Sequence, residues 1–332
     1  YSSPSFDPNR LADHDSSAAL AESEELLAAP GNPRRPAAYA DNYFPGSTFK
    51  IVTAAAALET DTFDGGSIIV PEAVEYFAPL ATRPIRNSGG RACGGTIEDM
   101  VSASCNTGFA LLAAEYIGPD DMVRTAEAFG FNTEPELDIA GAVAGDFPTD
   151  FGERLRAPEG DRPIGVYADS PVLAQAALGQ NNVSASALQM AMVAAAVANV
   201  GGAVAPHVVS EIRRPDQSVV ESIETEVTGR VVEQDVALAL QAAMRTAVRD
   251  GTARGLQIDG IDVGAKTGTA QLGEDTAGAH AWVIGFAGEP GFAPDIAFAV
   301  HVEADSTRPG QSGSRTAVPI ARDLLTELYG LS

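Results

Sequence analysis

The sequence predicts an α/β protein of the α+β type: an antiparallel β-sheet flanked by helices, with an all-helical lobe set into it. Three observations carry this reading. Residues 260–271, 281–287 and 295–304 are three short β-rich runs in succession, separated by turns. Apolar stretches with helix-start and glycine-stop signals fill most of the chain before them, and one more, 316–328, follows. Sequential strands bracketed by helices suit an antiparallel sheet with helices packed on it. A chain of 332 residues, 45% apolar and 20% charged, is long and apolar enough to bury such a core.

The elements follow in order. Residues 1–46 are loop-rich, with Pro4, Pro8, Pro30, Pro33, Pro36 and Pro45, and within them 16–27 reads as a short helix started by Asp15 or Ser16. Gly46 precedes a strong apolar helix over 47–58. Residues 96–116 read as two helical pieces around 102–106, and 121–129 as another helix closed by Gly130. The stretch 131–175 is irregular, rich in glycine, proline and acid, and reads as a surface lobe or a long functional loop. Residues 187–200 form an alanine-rich run that holds Gln189 and Asn199 and meets Gly201-Gly202, which suits a buried helix with a glycine stop better than a bilayer helix. Residues 204–223 alternate as a hairpin, and 234–250 form a helix ended by Gly251. No internal repeat is present. The expected organisation is a single domain, 1–332, with a helical lobe over roughly 51–200 inserted between the 47–58 helix and the C-terminal sheet.

Composition narrows the function. A formal charge of −24 argues against nucleic acid, whose phosphates need a basic face. The two cysteines form no CxxC, and His14, His207, His280 and His301 are scattered, so neither a metal nor an organic cofactor is expected. The chain starts at Tyr1 without a signal peptide, and it reads as a piece whose upstream part has been removed. Nineteen of its 21 basic residues are arginines, which leaves Lys50 and Lys266 as the only lysines.

Both lysines fall in motifs with chemical content. In Ser47-Thr48-Phe49-Lys50, positions three apart share a helix face, so the Ser47 hydroxyl and the Lys50 amine can address one site. Serine is a poor nucleophile until a base takes its proton, and a lysine whose pKa is lowered by burial and a nearby positive charge can be that base. Alone, this spacing also fits a capping serine near a surface lysine. Ser104-Cys105-Asn106 begins 57 residues after Ser47. Its hydroxyl can relay a proton and its amide can hold a carbonyl. Lys266-Thr267-Gly268-Thr269 lies in an expected strand, where glycine lets another backbone approach and the lysine and threonine hydroxyls suit a carboxylate. A plain strand with a bulge is the bland alternative. In this order the three motifs match the S-x-x-K, S-x-N, K-T-G signature of penicillin-binding proteins and class A β-lactamases.

The surrounding residues sharpen the resemblance. Tyr43-Phe44-Pro45-Gly46-Ser47-Thr48-Phe49-Lys50 resembles the Y-P-P-G-S-T-F-K of class B penicillin-binding proteins, and Pro4-Ser5-Phe6-Asp7-Pro8-Asn9 is similar to their P-S-F-D-P-N. Ala128-Phe129-Gly130-Phe131-Asn132, Gly179-Gln180, Leu188-Gln189-Met190-Ala191, Gly251-Thr252-Ala253 and Ala281-Trp282 also match, and the S-C-N triplet resembles the actinobacterial branch. The resemblance implies the penicillin-binding transpeptidase / serine β-lactamase-like fold and a peptidoglycan D,D-transpeptidase acylated by β-lactams. By it, Ser47 is the nucleophile, Lys50 the general base, Ser104 a proton relay and Asn106 the holder of the acyl side chain. Lys266, Thr267 and Thr269, around Gly268, take the terminal carboxylate, and the backbone N–H groups of Ser47 and Thr269 form the oxyanion hole. Its implied partners are peptidoglycan stem peptides, β-lactam antibiotics and a glycan polymerase reached through an absent N-terminal region. Its implied location is the extracytoplasmic face of a bacterial membrane.

There are departures. The family's P-L-L-N-R-A reads Pro33-Arg34-Arg35-Pro36-Ala37-Ala38, its T-P-L reads Ser186-Ala187-Leu188, and the β-hairpin that opens the family domain survives at most as residues 1–3. A missing sheet edge is therefore expected. Rival readings stay open: a β-lactamase using Glu134 in Glu134-Pro135-Glu136-Leu137-Asp138, a D,D-carboxypeptidase with the same residues, and a non-catalytic β-lactam sensor or scaffold. Cys93 and Cys105, outside the membrane, are expected to form a disulfide, with two buried thiols as the alternative.

Overall fold

The computed structural model describes residues 1–60, 68–160, 162–271, 278–307 and 310–331. Three strands, Asp262–Gln271, Ala279–Gly288 and Ile296–Val302, pair antiparallel in sequence order. The register sets Gly268 opposite Trp282, and Trp282 opposite His301. Successive strand side chains point to opposite faces, and the central strand fills both. Trp282, Ile284 and Phe286 enter the larger core, whereas Ala281, Val283 and Ala287 enter the smaller one with Val318, Ala321 and Leu325 of the C-terminal helix Val318–Leu328. Helices Ala187–Ala198 and Gln234–Arg249 cover the other face. Every residue of the central strand is buried, which is why it reads as a continuous apolar run rather than an alternating one.

Helix Lys50–Glu59 runs through the helical part of the molecule, buried from Lys50 to Ala57. Its four successive alanines, 54–57, let helices Ile97–Ala103, Asn106–Leu112 and Gly118–Ala128 approach from several sides. Among the described residues the strand Ile296–Val302 is paired on one side only, and six of its seven residues are half-buried, so its outer edge is open. No described helix is long and apolar enough to cross a membrane. The alanine-rich run is a core helix whose Ser186 hydroxyl accepts from the Gln189 N–H at 3.1 Å.

The structure departs from the sequence reading in three places. The helix expected from residue 47 opens as a 3₁₀ turn, Gly46–Thr48, and becomes α-helical only at Lys50. Residues 131–175 are less irregular than their composition suggests: Arg154–Arg156 pairs with Val166–Tyr167, and Pro171 starts the helix Ser170–Ala176. The hairpin expected over 204–223 is nested. Glu211–Arg213 pairs with Val219–Ser222 inside an outer pair, Gly202–Val204 with Val227–Arg230. Pro206, which has no N–H, falls between the two pairings.

Candidate active site

The turn that carries Ser47 is wedged against the sheet. Gly46 has φ +53°, and a Cβ there would lie 2.9 Å from the Thr269 carbonyl oxygen, so only glycine seats the turn this close to the K-T-G-T strand. The Gly46 N–H donates to the Gly179 carbonyl at 2.9 Å, and the Trp282 indole donates to the Phe44 carbonyl at 3.0 Å. Below the turn, Phe49 is fully buried, stacked on Phe147 and edge-on to Phe131. Ser47 itself is partly exposed, while Thr48, Phe49 and Lys50 are buried.

Lys50 projects from the first turn of its helix into the bend between helices Ile97–Ala103 and Asn106–Leu112. Ser104 holds that bend in the left-handed region, at φ 57° and ψ 45°. The Lys50 amine donates to the Ser104 carbonyl at 2.8 Å and to Asn106 Oδ1 at 2.6 Å, and stands 3.4 Å from Ser104 Oγ. A neutral amine has two N–H groups and one lone pair. Lys50 thus has a close acceptor for each N–H and keeps its lone pair for another proton. From the opposite wall, the Lys266 amine donates to Ser104 Oγ at 2.8 Å and to the Thr267 carbonyl at 2.9 Å. Ser104 is therefore the hub between the two lysines, and Asn106 faces Lys50.

Electrostatics follow from burial. Both lysines are fully buried. Burial pushes Lys50 well below the ordinary lysine range, and the positive charge of Lys266 pushes it further. Burial alone brings Lys266 down to about 7. Near neutral pH Lys266 is thus partly charged, and the downward shift of Lys50 favours its neutral form. The Thr269 side chain is on the exposed side of the strand, and its hydroxyl accepts from the Gly313 N–H at 3.3 Å. Among the described residues this first strand is paired on one side only, and it packs against the Ser47 turn.

The Ser104–Asn106 bend is fixed from outside. A disulfide joins Cys105 to Cys93 in the strand Cys93–Gly95. Asn87 organises the rest: its Oδ1 accepts from the N–H groups of Asn106 at 2.9 Å and Thr107 at 3.0 Å, and its Nδ2 donates to the carbonyls of Ala73 and Arg91. Sequence reasoning missed Asn87. Its only local signal, the turn-like Asn87-Ser88-Gly89-Gly90, says nothing about which bend the amide will brace.

Glu134 is placed elsewhere. It lines a cavity of about 330 Å³ with Phe129, Met192, Val204, Pro206 and Val231, and none of the three motifs lines that cavity. Asp138, four residues on, accepts from the N–H groups of Val208 and Val209. The loop thus anchors the nested hairpin.

A family model described as the penicillin binding protein transpeptidase domain matches residues 1–326. The peptidoglycan D,D-transpeptidase PbpA of Mycolicibacterium smegmatis is 33% identical over 327 residues, which cover 97% of this chain and 62% of the relative. The chain spans about three-fifths of the length of the PbpA relatives it matches. Among solved structures, penicillin-binding protein A from M. tuberculosis as its ceftriaxone acyl-enzyme complex superposes with a TM-score of 0.83 at 31% identity, covering 98% of this chain and 69% of that one. The D,D-transpeptidase domain of a peptidoglycan glycosyltransferase from Eggerthella lenta superposes with a TM-score of 0.77 at 26% identity, over 100% of this chain and 75% of that one. With a match along nearly its whole length and residues of the three motifs in contact around Ser104, this chain belongs to the family of penicillin-binding-protein transpeptidase domains.

Proposed function

We propose that the chain is a peptidoglycan D,D-transpeptidase, working at the extracytoplasmic face of a bacterial membrane. The observation that supports this most directly is the run of contacts Lys50–Ser104–Lys266, which starts one helical turn after Ser47. Neutral Lys50 takes the Ser47 proton as the Ser47 oxygen attacks the penultimate D-Ala carbonyl of a stem peptide. The oxyanion is met by the backbone N–H groups of Ser47 and Thr269, a kind of stabilisation often worth about 3 kcal/mol. The proton passes by way of Ser104 to the leaving nitrogen, the C–N bond breaks and D-Ala departs. Asn106 holds the acyl side chain, and its Nδ2 keeps one N–H beyond the one given to the Arg86 carbonyl at 2.7 Å. Charged Lys266, with Thr267 and Thr269, binds the terminal carboxylate, whose arrival favours the protonated lysine. An amine of a neighbouring stem peptide then attacks the ester and releases Ser47. β-Lactams enter by the same route and open their ring on Ser47. A glycan polymerase partner, reached through a region outside this chain, completes the proposal.

The test is labelling with a fluorescent penicillin, with the intact mass followed over hours and Ser47→Ala alongside. A stable adduct on the parent chain and none on Ser47→Ala is expected. An adduct that vanishes within seconds while penicilloate accumulates would make the chain a β-lactamase. A folded chain that takes no label at all would point to a non-catalytic scaffold.

A further inference from the structure

The three motifs leave Gly251-Thr252-Ala253 without a role, yet this segment sits between two of them. It follows helix Gln234–Arg249 and lies on the end of helix Ile97–Ala103. The Thr252 N–H donates to the Ser102 carbonyl at 3.2 Å. A Cβ on Gly251 would lie 2.5 Å from that same carbonyl oxygen and 2.6 Å from the Ser102 hydroxyl, so the approach demands glycine. On its other side, the Thr252 hydroxyl takes a hydrogen bond from the Thr267 hydroxyl at 2.7 Å. The wall that holds Ser104 is therefore joined to the K-T-G strand twice. One tie runs from Ser104 to Lys266, and the other from Ser102 through Thr252 to Thr267.

We infer that Thr252 is a positioning residue of the carboxylate subsite, holding the Thr267 hydroxyl at the cleft and reversing their hydrogen bond when an anion arrives. The inference rests on the proposed acyl-transfer reading. Thr267 gives its only O–H to Thr252. A carboxylate can only accept, so Thr267 must turn that O–H to the ligand. The Thr267 oxygen then needs a donor behind it, and Thr252 supplies one by turning its own hydroxyl toward Thr267. The resulting chain, Thr252 to Thr267 to carboxylate, is of the charge-assisted kind that outweighs neutral hydrogen bonds. Substrate without the anionic group gives the chain nothing to reverse for.

The experiment separates binding from chemistry. Thr252→Val keeps the shape and removes the hydroxyl, and Thr252→Ser restores it; melting temperatures show that both fold. For penicillin G, Thr252→Val should weaken the pre-covalent complex roughly tenfold, with the acylation rate constant within about twofold of the parent. For an acyl-D-Ala thioester ending in a carboxylate the same loss in KM is expected, and its carboxamide counterpart should lose less than about twofold. Thr252→Ser should lie close to the parent on all three ligands. Equal losses on carboxylate and carboxamide, a loss confined to the acylation rate constant, no loss at all, or a Ser variant that behaves like Val would each overturn the assignment. If the parent chain itself forms no Ser47 adduct, the acyl-transfer reading fails, and this one with it. Parent acylation with an unaffected Val variant removes Thr252 alone.

Discussion

A pair of buried lysines and a pair of histidines, His280 buried and His301 half-buried, lie near the Ser47 turn, and they have opposite characters. Lys50 and Lys266 meet at Ser104 in the cleft. His280 and His301 meet each other, with His301 Nε2 3.2 Å from His280 Nδ1, on the sheet beside Trp282. The Ala304 N–H also points at His280 Nδ1, at 3.2 Å. A backbone N–H can only donate, so His280 Nδ1 is the acceptor and its ring is neutral, and His301 Nε2 carries the hydrogen between them. The Tyr43 ring lies 4.0 Å from His301 and the Trp282 ring 4.3 Å, measured between centroids. Burial lowers the pKa of all four bases, so a lowered pKa does not by itself mark a catalytic group. What differs is the next atom along. The lysines share the rotatable hydroxyl of Ser104, whereas the histidines have each other and aromatic faces.

The comparison breaks first at Lys50. Replacing it with methionine keeps the volume and removes the base, and acylation by penicillin should fall by roughly 10²–10⁴-fold, read from the rate of adduct formation. A loss below tenfold would shift the base role to another group. Lys266→Met comes next, with two signatures. Losing its charge lets the Lys50 pKa rise, so the acidic limb of the acylation profile should move to higher pH. Stability should move the other way. Lys266 falls from 10.5 to about 7 on folding, so between those values the unfolded chain holds a proton that the folded one lacks. The stability linked to this group is complete only above about 10.5 and is lost as pH falls to 7. The methionine variant should therefore melt higher than the parent at pH 7, with the gain shrinking by pH 9.5. A variant that melts lower at pH 7 would mean that the lysine's hydrogen bonds outweigh its desolvation.

How much of this was legible follows from how local each signal is. The three sheet strands and the helices around the lysines were readable because their periodicity, caps and glycine stops lie within a few residues. Thr96 and Asp99, for example, close the capping box at the start of Ile97–Ala103. Ser47 and Lys50 are one helical turn apart, and Ser104, Asn106 and Lys266 stood out by order and by the scarcity of lysine. The 3₁₀ start at Gly46 was not readable, because it answers to Thr269, more than two hundred residues away. Asn87 and Thr252 were invisible as site residues for the same reason: one braces a bend from a separate loop, the other joins a helix end to a strand. The histidine pair required the sheet register, which sets His301 beside Trp282 and brings His280 within reach. The helix Ser170–Ala176 was hidden by a composition of glycine, proline and acid upstream of it.

The histidine side of the comparison carries the smallest expected effect on catalysis and the clearest sign in pH. His301 is brought down to about 3 by burial and by its histidine neighbour, and His280 is lowered by burial. Protonating His280 at Nδ1 would also set a hydrogen against two donors. The pair's stability is complete above the unfolded value of 6.5 and is lost as pH falls toward 3, because there the unfolded chain takes protons that the fold refuses. Among the described residues, Glu303, Asp41 and Arg35 act on Tyr43, whose ring packs on the cluster. His301→Gln keeps a donor for His280 and removes the titration. It should melt slightly below the parent at pH 7.5, where packing against Tyr43 and Trp282 is lost, and should lose less melting temperature than the parent between pH 7 and pH 4.5. Its acylation by penicillin should stay within about threefold, since the cluster touches the turn only from behind. An acid response identical to the parent's would remove the titration from His301. A large drop in acylation would mean that the aromatic stack, through Trp282 and the Phe44 carbonyl, sets the position of Ser47 more tightly than its distance from the cleft suggests.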